Sequence, residues 1–219
     1  FGGDQLDLIL AGNKDPRFKD KSVRIRTKGE QMDAFDEFFK ELFKEQDRYK
    51  SKYGMEKIWY EQWGNHEYNS RVMEEEEMKR WCKNDHRTTF LGSKGFIGLD
   101  IRFKNKSKMK KTLHVNHGFG SGDALKALEN LTVNVEADVY QMGHLHKPMG
   151  IRSDILFWND KIKKWDSKDQ ILVNSGCFTT GIRDGVDEWF GQRNKLKTSK
   201  PGTVTVSFDS YKGKMNVHE

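Results

Sequence analysis

Four of the seven histidines lie in short glycine-containing motifs, and each motif follows an apolar run that has the character of a strand. In chain order these motifs read Gly64-Asn65-His66-Glu67, His117-Gly118 and Gly143-His144-Leu145-His146. The opening segment, Gly3-Asp4-Gln5-Leu6-Asp7, has the same strand-end character. Because α/β sheets place their ligand sites at the carboxyl ends of strands, the pattern predicts a sheet with one polar site at its edge.

Three further segments have the pattern of helices. Apolar residues at helical spacing predict an amphipathic helix over residues 30–50, ending near Gly54. We expect its apolar stripe to pack in the core, and that stripe consists of Met32, Phe35, Phe38, Phe39, Leu42 and Phe43. A second helix is predicted over Asn69–Asn84, and a short one over Gly122–Leu131 with Asp123 near its start.

Seven segments are predicted to be strands: Lys57–Trp63, Phe96–Phe103, Thr112–Val115, Asp138–Met142, Ile151–Trp158, Ile171–Val173 and Thr203–Phe208. Strands that alternate with helices and then follow in series are typical of an α/β sandwich. The chain has 219 residues with no internal repeat and no linker, so we expect a single domain over residues 1–219.

Composition excludes several classes of protein. No apolar stretch approaches the roughly 20 residues of a membrane span. Two cysteines are too few for a disulfide framework or a cysteine-rich zinc site. The formal charge of +6 suits a polyanionic partner, although the 39 basic and 33 acidic residues are interspersed. For the lysine run Lys104–Lys111 we therefore favour a hairpin tip over a binding patch.

The motif side chains together form a mixed set of metal ligands. Imidazole nitrogens come from His117, His144 and His146, and oxygens come from Asp4 and Asn65. Such a set suits Mn, Fe or Zn better than a thiolate site or an all-oxygen calcium site. One carboxylate can also bridge two cations, as in two-metal hydrolases. A single histidine is more often a surface or core residue, but four ordered motifs have no equally simple structural explanation.

The order GD-x-x-D, GNH-E, H-G and GH-x-H, which runs from Asp4 to His146, resembles that of the calcineurin-like metallophosphoesterases. The later segments VNSGCF and PGTVTV are similar to the tails of small phage and bacterial members. The resemblance implies a four-layer αββα sandwich. It also implies a centre of two divalent metal ions at the sheet edge, with Mn²⁺ expected and Zn²⁺ or Fe as alternatives.

The resemblance assigns a role to each matching residue. Asp4 would bridge both metals, Asn65, His117 and His144 would complete one metal site, and His146 would belong to the other.

Two further residues would take part in catalysis without binding metal. His66 would be the catalytic histidine above the phosphate, and Asp7 would pair with His66 and orient it. Glu67 fills the acidic position after the histidine, where a structural role is expected.

One family motif has no counterpart. The D-x-H motif of the first strand supplies two ligands to the His146 site, and neither Asp85-His86 nor His114 has the right context for it. We expect this motif in a strand that precedes Phe1, and the alternative is a degraded metal site.

The resemblance implies a metallophosphoesterase in which a hydroxide that bridges both metals attacks phosphorus. The substrate could be a phosphomonoester, a nucleotide or a nucleic-acid diester, and the basic charge favours a phosphodiesterase or nuclease that acts on DNA, RNA or a nucleotide. One alternative is a non-catalytic structural or interaction protein, such as part of a phage assembly, that retains the fold. Another is a basic nucleic-acid-binding module, which leaves the motif histidines unexplained.

The expected location is the cytoplasm, or the host cytoplasm or virion if the protein is phage-encoded, because the chain has free thiols and shows no targeting segment. No membrane partner is expected, and the pattern does not predict an oligomeric state.

Overall fold

The computed structural model describes residues 28–53, 60–62, 75–84, 88–118, 123–145, 147–176 and 202–218. The described residues form two compact units, one that ends at Ser93 and one that begins at Lys94. Helices and strands occur in both units, so the predicted α/β class is confirmed at this level. None of the helices within these ranges is long and apolar enough to span a membrane.

The described part of the first unit contains two helices and two short parallel strands. They are α1 (Lys28–Tyr53), β1 (Tyr60–Glu61), α2 (Glu75–Asn84) and β2 (Thr89–Phe90). The Trp81 indole Nε1 of α2 donates a hydrogen bond of 2.7 Å to Asp36 Oδ1 of α1. Helix α1 confirms the prediction for residues 30–50, whereas only parts of the predicted Lys57–Trp63 strand and Asn69–Asn84 helix lie within the described residues.

The apolar stripe of α1 is narrower than predicted. Phe39 and Phe43 are buried, but 48% of Phe38 is exposed, so its assignment to the core was wrong. Adjacent helical residues lie about 100° apart around the axis, and Phe38 therefore turns away from the face that Phe39 and Phe43 share. Its ring instead meets the edge of Phe39, with centroids 5.8 Å apart.

A polar cluster is buried near the β1–β2 pair. The Thr88 hydroxyl donates to the Glu61 carboxylate and, at 3.3 Å, to the backbone carbonyl of Cys82. Burial, assisted by the negative charge of Glu61, raises the pKa of the Cys82 thiol far above its usual range. The thiol is therefore protonated at neutral pH, which makes Cys82 a packing residue and a poor nucleophile.

Within the described ranges, the second unit contains one helix and seven strands. They are β3 (Lys94–Arg102), β4 (Lys108–Asn116), α3 (Ala124–Thr132), β5 (Val139–Met142), β6 (Met149–Asn159), β7 (Lys164–Asn174), β8 (Thr205–Asp209) and β9 (Lys214–His218). Asp123 caps α3, because its side chain accepts a hydrogen bond of 2.9 Å from Leu125 N.

Five of these strands form one mixed sheet in the order β3-β4-β5-β7-β6. Strands β4, β5 and β7 are parallel, and the outer strands β3 and β6 run antiparallel to their neighbours. The central strand β5 is only four residues long. Its carboxyl end at Met142 lies in register with Asn116 of β4 and Asn174 of β7. The carboxyl ends of three parallel strands therefore meet at one edge.

Strands β5 and β7 of the five-stranded sheet are covered on both faces. On one face Leu128 and Leu131 of α3 pack against Tyr140 and Leu172. On the other face the β8–β9 hairpin brings apolar side chains, including Met215, against the β5 and β7 residues Val139, Ile171 and Val173. The second unit thus has helix, sheet and hairpin layers in that order.

The predicted strands of this unit are confirmed, although several are longer than expected. Strand β4 begins at Lys108, four residues before the predicted start, because its lysines alternate with half-buried residues such as Met109. Strand β7 begins at Lys164 as the partner of β6 in a long hairpin. Strand β9 was not predicted, and the segment Asp184–Pro201 lies outside the described residues.

Candidate functional site

Two of the predicted histidine motifs meet at the carboxyl edge of the five-stranded sheet. His117-Gly118 directly follows β4, and the motif that contains His144 directly follows β5. The backbone links the two motifs, because Gly143 N donates a hydrogen bond of 3.0 Å to His117 O. The prediction that each of these two motifs follows a strand is confirmed, and the structure shows that the two strands are parallel neighbours.

The rings of His117 and His144 lie side by side. Their centroids are 5.2 Å apart and their planes are inclined by 71°. His117 is buried and His144 is half-buried, so both rings belong to a partly closed edge rather than to open surface. At metal–nitrogen distances of about 2.0–2.1 Å, two imidazoles on one tetrahedral ion have centroids about 5 Å apart. The observed separation therefore fits two nitrogen donors that share one cation.

A residue with a left-handed backbone conformation follows each of the three parallel strands. The second residue after each strand has a positive φ: +104° at Gly118, 60° at His144 and +74° at Gly176. Glycine adopts such angles freely, whereas histidine does so at a cost of about 1–2 kcal/mol. Strained backbone conformations of residues other than glycine are concentrated at functional sites. The backbone strain at His144 therefore supports a functional role for this residue.

Gly118 lies too close to its neighbours to carry a side chain. A Cβ at this position would be 2.6 Å from Met142 Cγ and 3.1 Å from His144 Cβ. Its own backbone is held by Asn116, whose side-chain Oδ1 accepts a hydrogen bond of 2.9 Å from Gly118 N. The glycine of the H-G motif therefore permits the close approach of the loop that carries His144.

Asn174, at the end of β7, fastens the loop that contains the GHLH motif. Its Nδ2 donates two hydrogen bonds of 2.6 Å, to the backbone carbonyls of Leu145 and Lys147. The side chain is fully buried, and its Oδ1 has no hydrogen-bond partner among the described residues. The sequence did not predict this role, and the one available signal was the polar residue that ends the apolar run before Ser175-Gly176.

A third histidine, His114, is buried on β4 and faces the side of the sheet that α3 covers. Its ring stacks on Phe96 with centroids 4.8 Å apart and meets the edge of Tyr140 at 6.0 Å. Burial, with a smaller contribution from the charge of Lys94, lowers the pKa of His114. In the part of the chain that the structure describes, its Nδ1 has no hydrogen-bond partner. His114 is thus a buried ring that packs between two aromatic rings.

The other predicted site residues, Asp4, Asp7, Asn65, His66 and His146, lie outside the described residues. Within the described ranges no three His, Cys, Asp or Glu side chains are close enough together to hold a metal ion. His117 and His144 are thus the part of the predicted ligand set whose geometry is known.

Comparison with known proteins yields no match to a family model, to a curated protein or to a solved structure. The function of the site has to be argued from the motifs and from the geometry of the sheet edge.

Proposed function

We propose that the protein is a metal-dependent phosphoesterase of the calcineurin-like type, acting on a phosphodiester in DNA, RNA or a nucleotide. The observation that carries this proposal is the approach of the His117 and His144 rings to 5.2 Å. These residues come from the third and fourth of four ordered motifs. Histidines with unrelated roles would not be expected to lie together at the sheet edge where such folds place their ligand sites. We expect the enzyme in the cytoplasm, or in the virion if it is phage-encoded.

The proposed fold is a four-layer αββα sandwich formed by a single domain over residues 1–219. The order of helix α3, five-stranded sheet and β8–β9 hairpin in the second unit supports it, since such a sandwich contains this order. The fourth layer is part of the proposal.

His117 and His144 would hold one divalent cation together with Asn65, Asp4 would bridge to a second cation, and His146 would bind the second. The chemistry of the donors fits Mn²⁺, with Zn²⁺ or Fe as alternatives, because imidazole and carboxylate or amide oxygens are mixed. When bound, the cations supply positive charge for the phosphoryl oxygens and lower the pKa of a water molecule.

The remaining chemistry falls to the side chains of the chain itself. His66 donates a proton to the leaving oxygen, and Asp7 orients the His66 ring by a hydrogen bond. Asn174 keeps the loop around His146 in place through the carbonyls on either side of it, those of Leu145 and Lys147.

Substitution of single histidines separates metal binding from proton transfer. His144→Ala should lose metal, because it removes an imidazole donor. His66→Ala should keep its metal and lose turnover by about 10²–10⁴-fold, the usual contribution of general acid–base catalysis. Asp7→Asn should lie between wild type and His66→Ala in turnover. The measurements are bound metal per chain by mass spectrometry and hydrolysis of aryl phosphodiesters.

His218→Ala, at an exposed position on β9, is the matched control and should change neither metal content nor turnover. The loss in His66→Ala should be larger for a poor leaving group than for nitrophenolate, which needs no proton. Equal metal loss in His66→Ala and His144→Ala would contradict the assigned roles. Full metal binding without turnover on any phosphoester would favour the non-catalytic structural protein instead.

A further inference from the structure

The β3–β4 hairpin carries an exposed row of cations on one face. Side chains alternate along a strand, so Arg102 on β3 and its cross-strand partner Lys108 point to the same side as Lys110. The turn between the strands adds Lys104 and Lys106, both exposed. We call the face that carries Phe96, Gly98, Arg102, Lys108 and Lys110 the cationic face.

Few acidic groups offset this charge. Asp100 is the single acidic residue of the hairpin. It lies on the same face, opposite Lys110 across the two strands, and 3.6 Å from the Arg102 guanidinium. Neither the turn lysines nor Lys108 and Lys110 form an ion pair with any residue in the described part of the chain. Residues 94–116 include seven basic residues and one acidic residue, so the hairpin concentrates positive potential in one place.

The cationic face also presents an aromatic ring. Phe96 is 56% exposed, and its ring stacks on the ring of its cross-strand partner His114, with centroids 4.8 Å apart. The next residue on this face is Gly98, and the position of its missing Cβ has no neighbouring atom within 4 Å. An exposed aromatic ring next to open space above the sheet can act as a stacking platform for a planar group.

The cationic face leads towards the candidate site. Strand β4 runs from Lys108 to Asn116 and is followed at once by His117. At about 3.3 Å per residue, Lys110 lies roughly 23 Å along the strand from His117, whereas His114, which stacks on Phe96, lies about 10 Å from it. A chain molecule bound along the hairpin would therefore extend towards the histidines.

We infer that the cationic face binds single-stranded nucleic acid, with phosphates against the lysines and a base stacked on Phe96. Stacking needs an exposed base, which a duplex does not offer, and a membrane surface would need more apolar groups among the cations. The direction of the bound strand towards His117 rests on the proposed function. Binding itself needs no metal and no hydrolysis.

The test measures binding of a fluorescein-labelled oligothymidylate of 20 nucleotides by anisotropy, in EDTA and at several salt concentrations. Lys108→Ala combined with Lys110→Ala should reduce the slope of log affinity against log salt by roughly 1.4, since each phosphate contact on a single strand contributes about 0.7. Phe96→Leu should weaken binding about 5- to 100-fold with an unchanged salt slope, and Phe96→Tyr should retain it.

The matched control combines Lys161→Ala with Lys164→Ala, two exposed lysines of the β6–β7 hairpin. This variant has the same change in net charge and should leave the slope unchanged. Equal loss of slope in both double variants would overturn the proposal, as would binding that does not depend on Phe96. Binding to phosphatidylserine vesicles through Lys108 and Lys110, without binding to the oligonucleotide, would assign the face to a membrane and also overturn it.

The two proposals fail in different ways. Binding with the expected dependence on Lys108, Lys110 and Phe96, together with no turnover in metal, would leave the cationic face intact and refute the phosphoesterase. Turnover of small aryl phosphodiesters without any oligonucleotide binding would refute the cationic face alone.

Discussion

Replacing Gly118 by alanine tests whether the close approach of the two histidine loops depends on a missing side chain. The backbone φ of +104° costs an L-residue about 1–2 kcal/mol. The new Cβ would also stand 2.6 Å from Met142 Cγ, in a buried cluster, and such overpacking costs about 1–3 kcal/mol. Alanine restricts the unfolded chain and returns about 0.4–1 kcal/mol. The expected net loss in the free energy of unfolding is about 2–4 kcal/mol.

Two other glycines of the same unit separate these contributions. Gly213 has a φ of +62° with nothing within 4 Å of a Cβ, so Gly213→Ala should cost only about 1 kcal/mol. Gly98 has open space and ordinary strand geometry, so Gly98→Ala should be neutral or stabilise by about 0.5 kcal/mol.

Urea denaturation followed by circular dichroism gives the three values, provided that the slope of each transition is unchanged. Because the new methyl group would also press on His144 Cβ, 3.1 Å away, Gly118→Ala should bind Mn²⁺ less tightly than Gly213→Ala does. A Gly118→Ala variant no less stable than Gly213→Ala would refute the argument from close approach.

Two more predictions concern buried side chains near this edge. Asn174→Asp removes both N–H donors and places carboxylate oxygens against the carbonyls of Leu145 and Lys147. We expect the free energy of unfolding, measured by urea denaturation, to fall by about 2–4 kcal/mol, and to fall less at pH 5 than at pH 8. Equal stability of the variant and wild type at pH 8 would contradict the role given to Asn174. The pKa of His114 in the folded state lies below its unfolded value of about 6.5. Its contribution to the free energy of unfolding is therefore fully present above about pH 6.5, and it is lost as the pH falls from there through the folded pKa. The urea midpoint should therefore fall less between pH 7.5 and 5.5 in His114→Phe than in wild type, and parallel curves would show that His114 does not titrate in this way.

The position of His117 and His144 at one sheet edge was predictable because each motif directly follows an apolar run, which is a feature of the local sequence. Parallel strands bring their carboxyl ends to one edge without any detail of side-chain packing. A local pattern also predicted a short helix with Asp123 near its start, and the structure shows that Asp123 caps α3.

Other features depend on contacts that no local pattern encodes. Asn174 acts on Leu145, 29 residues earlier in the chain, and a polar residue at a strand end has many possible partners. The exposure of Phe38 depends on which part of the α1 surface is covered, and the apolar stripe alone was too wide to decide it. The roles of Asp4, Asp7, Asn65, His66 and His146 remain predictions from the motifs.

The shortness of β5 has a practical consequence for protein engineering. Among the described residues, β7 from Lys164 to Gln170 pairs with β6 alone, because β5 begins only opposite Ile171. Adding two residues to each strand of the β6–β7 hairpin would preserve the alternation of its faces and lengthen it by about 7 Å. The turn at Asp160–Lys163 is therefore a place for a fluorophore or an affinity tag, at the end of the hairpin remote from the histidines.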